Sequence, residues 1–344
     1  MVFSKIKEMR AFMRVAKNLD KVGSDLPPDE AVVLDAPVED PPLLAAEQAA
    51  SSGDWLPAAR LLAHTQSGPD WELRDYHVNR LSDVALEGDA WLNAWLHELP
   101  DDPNALLLHG DVLIGRAWEA RGAKYAKYTS DEQFAGFFHY LGQVEPVLLR
   151  AAQANPADPC PWIRMLTYAM GSPGGRREVF DRAWAEVTDR APHHQGAHGR
   201  ALQYVCGKWH GSDEEMFAFA YRAADAAPPD SALQVLPLEA WLEYDVTKDG
   251  PVLTRPEVRE AVNRALAVCP PNAPATYRWH RSDRNLIIRN LWVQERNEEA
   301  LEQFRAAGVH ATSYPWNLYR SEDPRQQFLD VREGVRMAIA ETMP

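Results

Sequence analysis

Val144-Glu-Pro-Val-Leu-Leu-Arg-Ala-Ala-Gln-Ala-Asn-Pro156 reads as a helical stretch closed by a proline, and its pattern returns down the chain. Equivalent stretches are Phe180–Pro192, Met216–Pro228 and Val258–Pro270, so that the closing prolines lie 36, 36 and 42 residues apart. Proline cannot continue a helix, and it disfavours helical backbone in the residue before it, so each one marks an end. Counting back five residues from each proline gives Ala151, Val187, Ala223 and Ala265, and counting back twelve gives Val144, Phe180, Met216 and Val258. The same apolar face is thus repeated at a period typical of stacked helical hairpins, each of which needs a neighbour to cover it.

Working outward, helical periodicity predicts helices at 43–52, 55–65, 71–87, 89–99, 104–121, 130–154, 159–170, 175–190, 194–207, 212–226, 231–244, 255–268, 274–295 and 297–306, with one more near 324–340. No period-two strand pattern stands out, and the fold class expected is all-α. Of the 12 tryptophans, those inside the helices are read as fillers between stacked elements.

The net charge of −14 on 344 residues argues against general nucleic-acid binding. Three widely separated cysteines, Cys160, Cys206 and Cys269, make neither a disulfide framework nor a zinc ribbon. No apolar run is long enough to span a membrane and no secretory signal is read, so a cytoplasmic protein is expected. Residues 1–22 differ from the rest: Lys5, Lys7, Arg10, Arg14, Lys17 and Lys21 stand against Glu8 and Asp20 on a basic amphipathic helix. It suits docking on the protein's own acidic body, on a partner, or weakly on a membrane surface. Residues 23–42 are rich in proline and acid, without a single Lys or Arg, and read as an extended linker.

A small residue five before a closing proline, with a bulky one three earlier (Leu148, Trp184, Val262, but only Ala220), is similar to the tetratricopeptide repeat. Trp162 and Gly110 fall where that repeat places its tryptophan and glycine, whereas His198, Gln234 and Thr276 take the tryptophan position in other units. The resemblance implies a right-handed α-solenoid over 43–310, followed by an extension over 311–344 with one helix. Separately, Lys208-Trp-His-Gly-Ser212 with Met216 and Phe219-Ala220 resembles the Lys/Arg-Trp-Gly-Gly-Ser segment of a bacterial domain family without assigned activity. Arg121-Gly122, Thr129, Phe137 and Asn155–Pro159 follow the same order, and His210 replaces that segment's first glycine.

Candidate site residues fall in three groups. His194 and His198, four apart, share a helix face as a two-histidine metal site would need, within a cluster that includes His193, Cys206 and His210. The repeat gives the pair a structural reading as well, since His198 replaces Trp162 of the preceding unit. Lys208 and His210 project from an inter-helix turn whose Ser212 and Glu215 form a capping box. Basic clusters are Arg278, Arg281 and Arg284 on one helix and Lys124, Tyr125 and Lys127 in a loop, either free to take an anion or neutralised internally. Without a nucleophile elbow, P-loop, dinucleotide fingerprint or zinc-protease motif, no cofactor is expected. The function expected is a non-catalytic scaffold that binds a protein or peptide in its groove. The alternative is an enzyme or a small-molecule- or metal-binding protein working near His194, His198 and His210.

Overall fold

A computed structural model describes residues 13–122, 129–248, 250–272, 280–318 and 323–344. The fold is all-α. The chain first forms α1, helical over 13–19, and a two-residue strand β1 (Val33–Leu34). There follow α2 (Pro41–Ser51), α3 (Leu56–Thr65), α4 (Trp71–Glu87), α5 (Ala90–Glu98), α6 (Pro103–Arg121), α7 (Asp131–Ala154), α8 (Cys160–Gly171), α9 (Arg177–Arg190), α10 (Gln195–Val205) and α11 (Asp213–Ala226). The remainder is α12 (Leu236–Thr247), α13 (Pro256–Val268), α14 (His280–Val293), α15 (Asn297–Ala307), β2 (His310–Ala311) and α16 (Pro324–Thr342), with short 3-10 turns between.

Helices α7, α9, α11 and α13 each stop two residues before Pro156, Pro192, Pro228 and Pro270. Their starts are equally local. Ser130 and Gln133 form a reciprocal capping box on α7, and Asp70 accepts from Leu73 N at 2.8 Å at the head of α4. Asp102 accepts from the backbone N–H of Asn104 and Ala105, with Pro103 as the first residue of α6. The repeated apolar positions are buried with one exception: Val144, Ala151, Phe180, Val187, Met216, Val258 and Ala265 are inside, while Ala223 is half-exposed and its neighbour Ala224 takes the buried place. Gly110 shows why a close approach needs a missing side chain, because a Cβ there would stand 2.3 Å from Leu148 Cδ2 of α7.

The chain divides into two compact units, residues 39–219 and residues up to 38 together with 220–344. In the first, α6 packs on α7, α7 on α8 and α8 on α9, and a second set of contacts runs from α4 to α6, α6 to α8 and α8 to α10. Alternate helices therefore form a row of their own, with the intervening helices packed against it. In the second unit α12 through α16 pack in chain order, and β1 pairs with β2 in parallel, Val33 opposite His310. That pairing is a feature the period-two search could not find, since two residues carry no alternation.

The acidic stretch read as a linker is held against helices as far as Pro37. Val32 is buried, as is Val22 just before the stretch, and Asn18 of α1 donates to Ala340 O of α16 and to Met343 O just beyond that helix. Arg14, Lys17 and Lys21 of the basic helix face outward; its earlier residues lie outside the described ones. No helix among the described residues is long and apolar enough to cross a membrane.

Candidate functional site

The histidines expected to converge do not form one site. His194 caps α10, its Nδ1 accepting from Ala197 N at 3.1 Å, with Glu72 Oε1 3.3 Å from the same nitrogen. His198 Nδ1 donates to His194 O at 2.9 Å, and its ring packs edge-on to Trp184 at 4.9 Å and beside Phe219 at 5.9 Å. Burial pushes His198 down to about 4, since a charged imidazolium would lose its water there. Its ring serves as a packing group between Trp184 and Phe219. Among the described residues no group of three or more His, Cys, Asp or Glu is arranged to hold a metal ion.

His210 is used structurally as well. Its Nε2 donates to Met170 O at 2.8 Å, and its ring lies against Gly175 of the turn Ser172-Pro-Gly-Gly-Arg176. That turn has left-handed backbone at Gly174, Gly175 and Arg176 (φ 68°, 75° and 41°), and Tyr204 Oη donates to Gly175 O at 2.9 Å. Two glycine-bearing turns far apart in sequence thus interlock. The strained Arg176 reaches back to Glu145 and Tyr168, with Nη1 2.8 Å from Tyr168 Oη. Lys208 is exposed on the other turn, and Ser212 caps α11 through Glu215 N at 3.1 Å as its sequence indicated.

The arginine row resolves into separate tasks. Arg281 Nη1 donates to Ala36 O at 2.7 Å, and Arg284 is buried, donating to Gln303 Oε1 and Pro270 O. Both spend donors on neutral oxygens within the chain rather than lining up for one anion. Arg278, Lys124, Tyr125 and Lys127 lie outside the described residues.

The densest chemistry lies on the row α4, α6, α8 and α10, at residues not singled out from the sequence. Arg164 of α8, 1% exposed in its side chain, pairs with Asp75 Oδ1 of α4, donates to Asn79 Oδ1 at 2.9 Å and places its Nε 2.7 Å from Asp111 Oδ1 of α6. Arg200 of α10 stands on the other side of the same carboxylate, 3.3 Å from Asp75 Oδ2 and 3.2 Å from Asn79 Oδ1. Its side chain is 26% exposed and marks where the network meets solvent. Burial alone would raise the Asp75 carboxyl; Arg164, then Arg200 and His194, outweigh it and hold the group well below the usual carboxylate range. Arg164 responds in kind, burial opposing its charge and Asp111 and Asp75 holding the guanidinium protonated.

A second buried arginine fastens the base of this row. Arg74 Nε donates to Asp158 Oδ2 at 2.7 Å, Nη1 to Leu62 O at 2.9 Å and Nη2 to Asn104 Oδ1 at 2.8 Å, joining α3, α4, α6 and the approach to α8. Asp158 in turn accepts from Cys160 N, and burial pushes the Cys160 thiol well up, leaving it unreactive.

Toward the other end of α4 the row turns acidic. Asp83 is exposed, and its carboxyl is raised by desolvation and by the nearby charges of Asp111, Glu47 and Glu87 against the opposing pull of Arg80. Along the row as a whole Glu72, Asp75, Asp83 and Asp111 are balanced by Arg74, Arg80, Arg164 and Arg200, and the carboxyls crowd only at the end that carries Asp83 and Glu87.

The sequence held a signal for this network. Arg74 falls in step with Val78, Leu81 and Ala85 on the apolar face of α4, and Arg164 interrupts the run Trp162-Ile-Arg-Met-Leu166. A charge on a face that must be buried calls for a partner.

The chain matches no protein-family model, and no curated protein or solved structure matches it.

Proposed function

We propose that the protein is a non-catalytic, TPR-like helical-repeat scaffold that binds a partner polypeptide along the α4–α6–α8–α10 face. The reading is carried by one observation: charged side chains from four helices meet on that face around a buried Asp75, with Asp111, Asn79 and Arg200 at its solvent edge. Fixed charges on rigid helices recognise a ligand without first having to be ordered. The crowding of carboxyls around Asp83, raised by desolvation and by Asp111, Glu47 and Glu87, fits a segment that brings Lys or Arg side chains to the edge beside Asp83 and Asp111. A cation placed there would relieve the crowding that disfavours ionised Asp83.

The test is selection of peptides from a random displayed library against the purified full-length chain. Enrichment of basic peptides that bind the wild type, and lose about tenfold or more in affinity for Asp83→Lys/Glu87→Lys, is the expected result. Peptides with no basic preference, or binding unchanged in the double variant, would remove this face from the account.

A further inference from the structure

Four arginines of the second unit are spent on backbone carbonyls of one segment. Arg336 donates to Leu19 O at 3.1 Å and Val22 O at 2.8 Å, Arg332 to Pro27 O at 3.1 Å, and Arg325 to Asp29 O and Val32 O, the latter at 2.9 Å. Arg281 completes the series on Ala36 O and Pro37 O at 2.7 and 3.2 Å. The segment climbs as the arginines descend along α16, so it runs opposite to that helix. Between the arginines, Val33 N donates to Val309 O and Asp35 N to Ala311 O, at 2.8 and 2.9 Å, as an added strand would.

Side chains add a charge preference to this backbone recognition. Asp25 takes Arg305 through both oxygens, at 2.8 and 3.2 Å, Asp29 pairs with Arg332, and Asp35 accepts from Ser313 N at 2.8 Å. Val22 and Val32 are its buried apolar anchors. The surface of α14, α15, β2 and α16 thus holds residues 19–37, which pass through turns and a short 3-10 helix at Asp29–Ala31, as a groove holds an acidic peptide, mostly by charge-assisted hydrogen bonds.

Connectivity makes that ligand separable. The chain leaves the segment at Val38, forms the whole unit 39–219, and only then returns to build the helices that grip it. Releasing the segment interrupts none of the helices α2 to α16. The same segment of another copy offers the same carbonyls, carboxylates and valines, so exchange between copies replaces each contact with an identical one.

We propose that residues 19–37 form an exchangeable strap, and that the α14–α16 surface is an interface which receives the strap of a second copy of this chain. Exchange competes with the local strap, which is joined to α2 through residues 38–40, and a short connection of that kind corresponds to an effective concentration on the order of 1 mM. Exchanged chains therefore accumulate as the protein concentration approaches that value and vanish on dilution. The proposal does not depend on the peptide-binding face of the other unit.

Two singly substituted full-length chains test it, Asp25→Cys carrying one tag and Arg305→Cys carrying another. The natural cysteines are buried, and a disulfide between the two tagged chains requires the strap of one to lie on the other. The heterodimer should be abundant after equilibration at roughly 0.5 mM, about thirtyfold scarcer at roughly 10 μM, and suppressed by excess synthetic peptide of residues 19–37. The control pair Asp25→Cys with Asp189→Cys should give only background. Heterodimer no more abundant than that control at the higher concentration overturns the proposal, as does a yield that the peptide leaves unchanged. Peptide binding without any heterodimer would assign the surface to a different acidic partner and would equally overturn exchange between copies.

Discussion

Replacing Arg164 by Met should be the most damaging single change on the α4–α10 row. The substitution keeps much of the volume and removes the cation, so Asp75, fully buried, keeps Arg200 at 3.3 Å, Asn79 and the charge of His194, while Asp111 loses the Arg164 guanidinium. Breaking a buried pair by removing one partner costs about 3–5 kcal/mol, and the surviving Arg200 places this case near ~3 kcal/mol. For a unit of about 180 residues, at roughly 2–4 °C per kcal/mol, the transition of residues 39–219 should fall by about 6–12 °C. Thermal unfolding followed by circular dichroism and calorimetry measures it. A second signature lies in acid. Because Asp75 titrates lower in the folded chain than in the unfolded one, its contribution is complete above the unfolded value of about 3.9 and is lost as pH falls below it. Arg164→Met raises the folded value, so stability should fall less steeply in acid than in the wild type. A loss below about 1 kcal/mol, or an unchanged acid slope, would refute the view that Arg164 and Asp75 are an obligatory pair.

Gly175→Ala should destabilise by about 1–3 kcal/mol, since its φ is +75° and a Cβ would stand 2.5 Å from the His210 ring. In urea melts, His210→Ala should recover part of that loss in the double variant, and strict additivity would show that the two turns do not interlock. His198, held down to about 4 by burial, gives stability that is complete above the unfolded value near 6.5 and lost as pH falls toward 4. His198→Phe should flatten that dependence in pH-resolved melts, and an equal slope in both chains would contradict the packing role. Glu239 has the opposite sign: burial, with Asp283 beside it, pushes its carboxyl up to about 8, so its contribution is full below about 4.5 and lost as pH rises toward 8. Glu239→Gln should abolish that alkaline loss in the same assay, and a loss that persists would place the titrating group elsewhere.

Much of the secondary structure was legible because its signals are local. The closing prolines, the cap at Ser212, and the apolar steps through Val144, Phe180 and Val258 each act within a few residues. The 3-10 turn Ala232–Val235 ahead of α12 was folded into one predicted helix, because both conformations bury the same apolar side chains. The candidate site was far less legible. Spacing put His194 and His198 on one helix, but one became a cap and the other a packing ring, which depends on neighbours such as Trp184 and Phe219 that are remote in sequence. Arg74 and Arg164 announced themselves as charges on apolar faces, yet their partners Asp158, Asp75 and Asp111 lie 53 to 89 residues away and are set by helix packing alone. Likewise the proline-rich acidic stretch gave no hint of the arginines on α14 to α16 that grip it.

The most direct test of the scaffold reading is site-specific photo-crosslinking in native extract, with the photoreactive residue placed at Asp83 on the α4–α10 face and, in a control chain, at the exposed Asp189 of α9. A discrete polypeptide captured from position 83, absent from position 189, and cross-linked through a segment rich in Lys or Arg is the predicted result. No captured polypeptide at position 83, or the same products from both positions, would contradict the claim that this face exists to bind a partner chain.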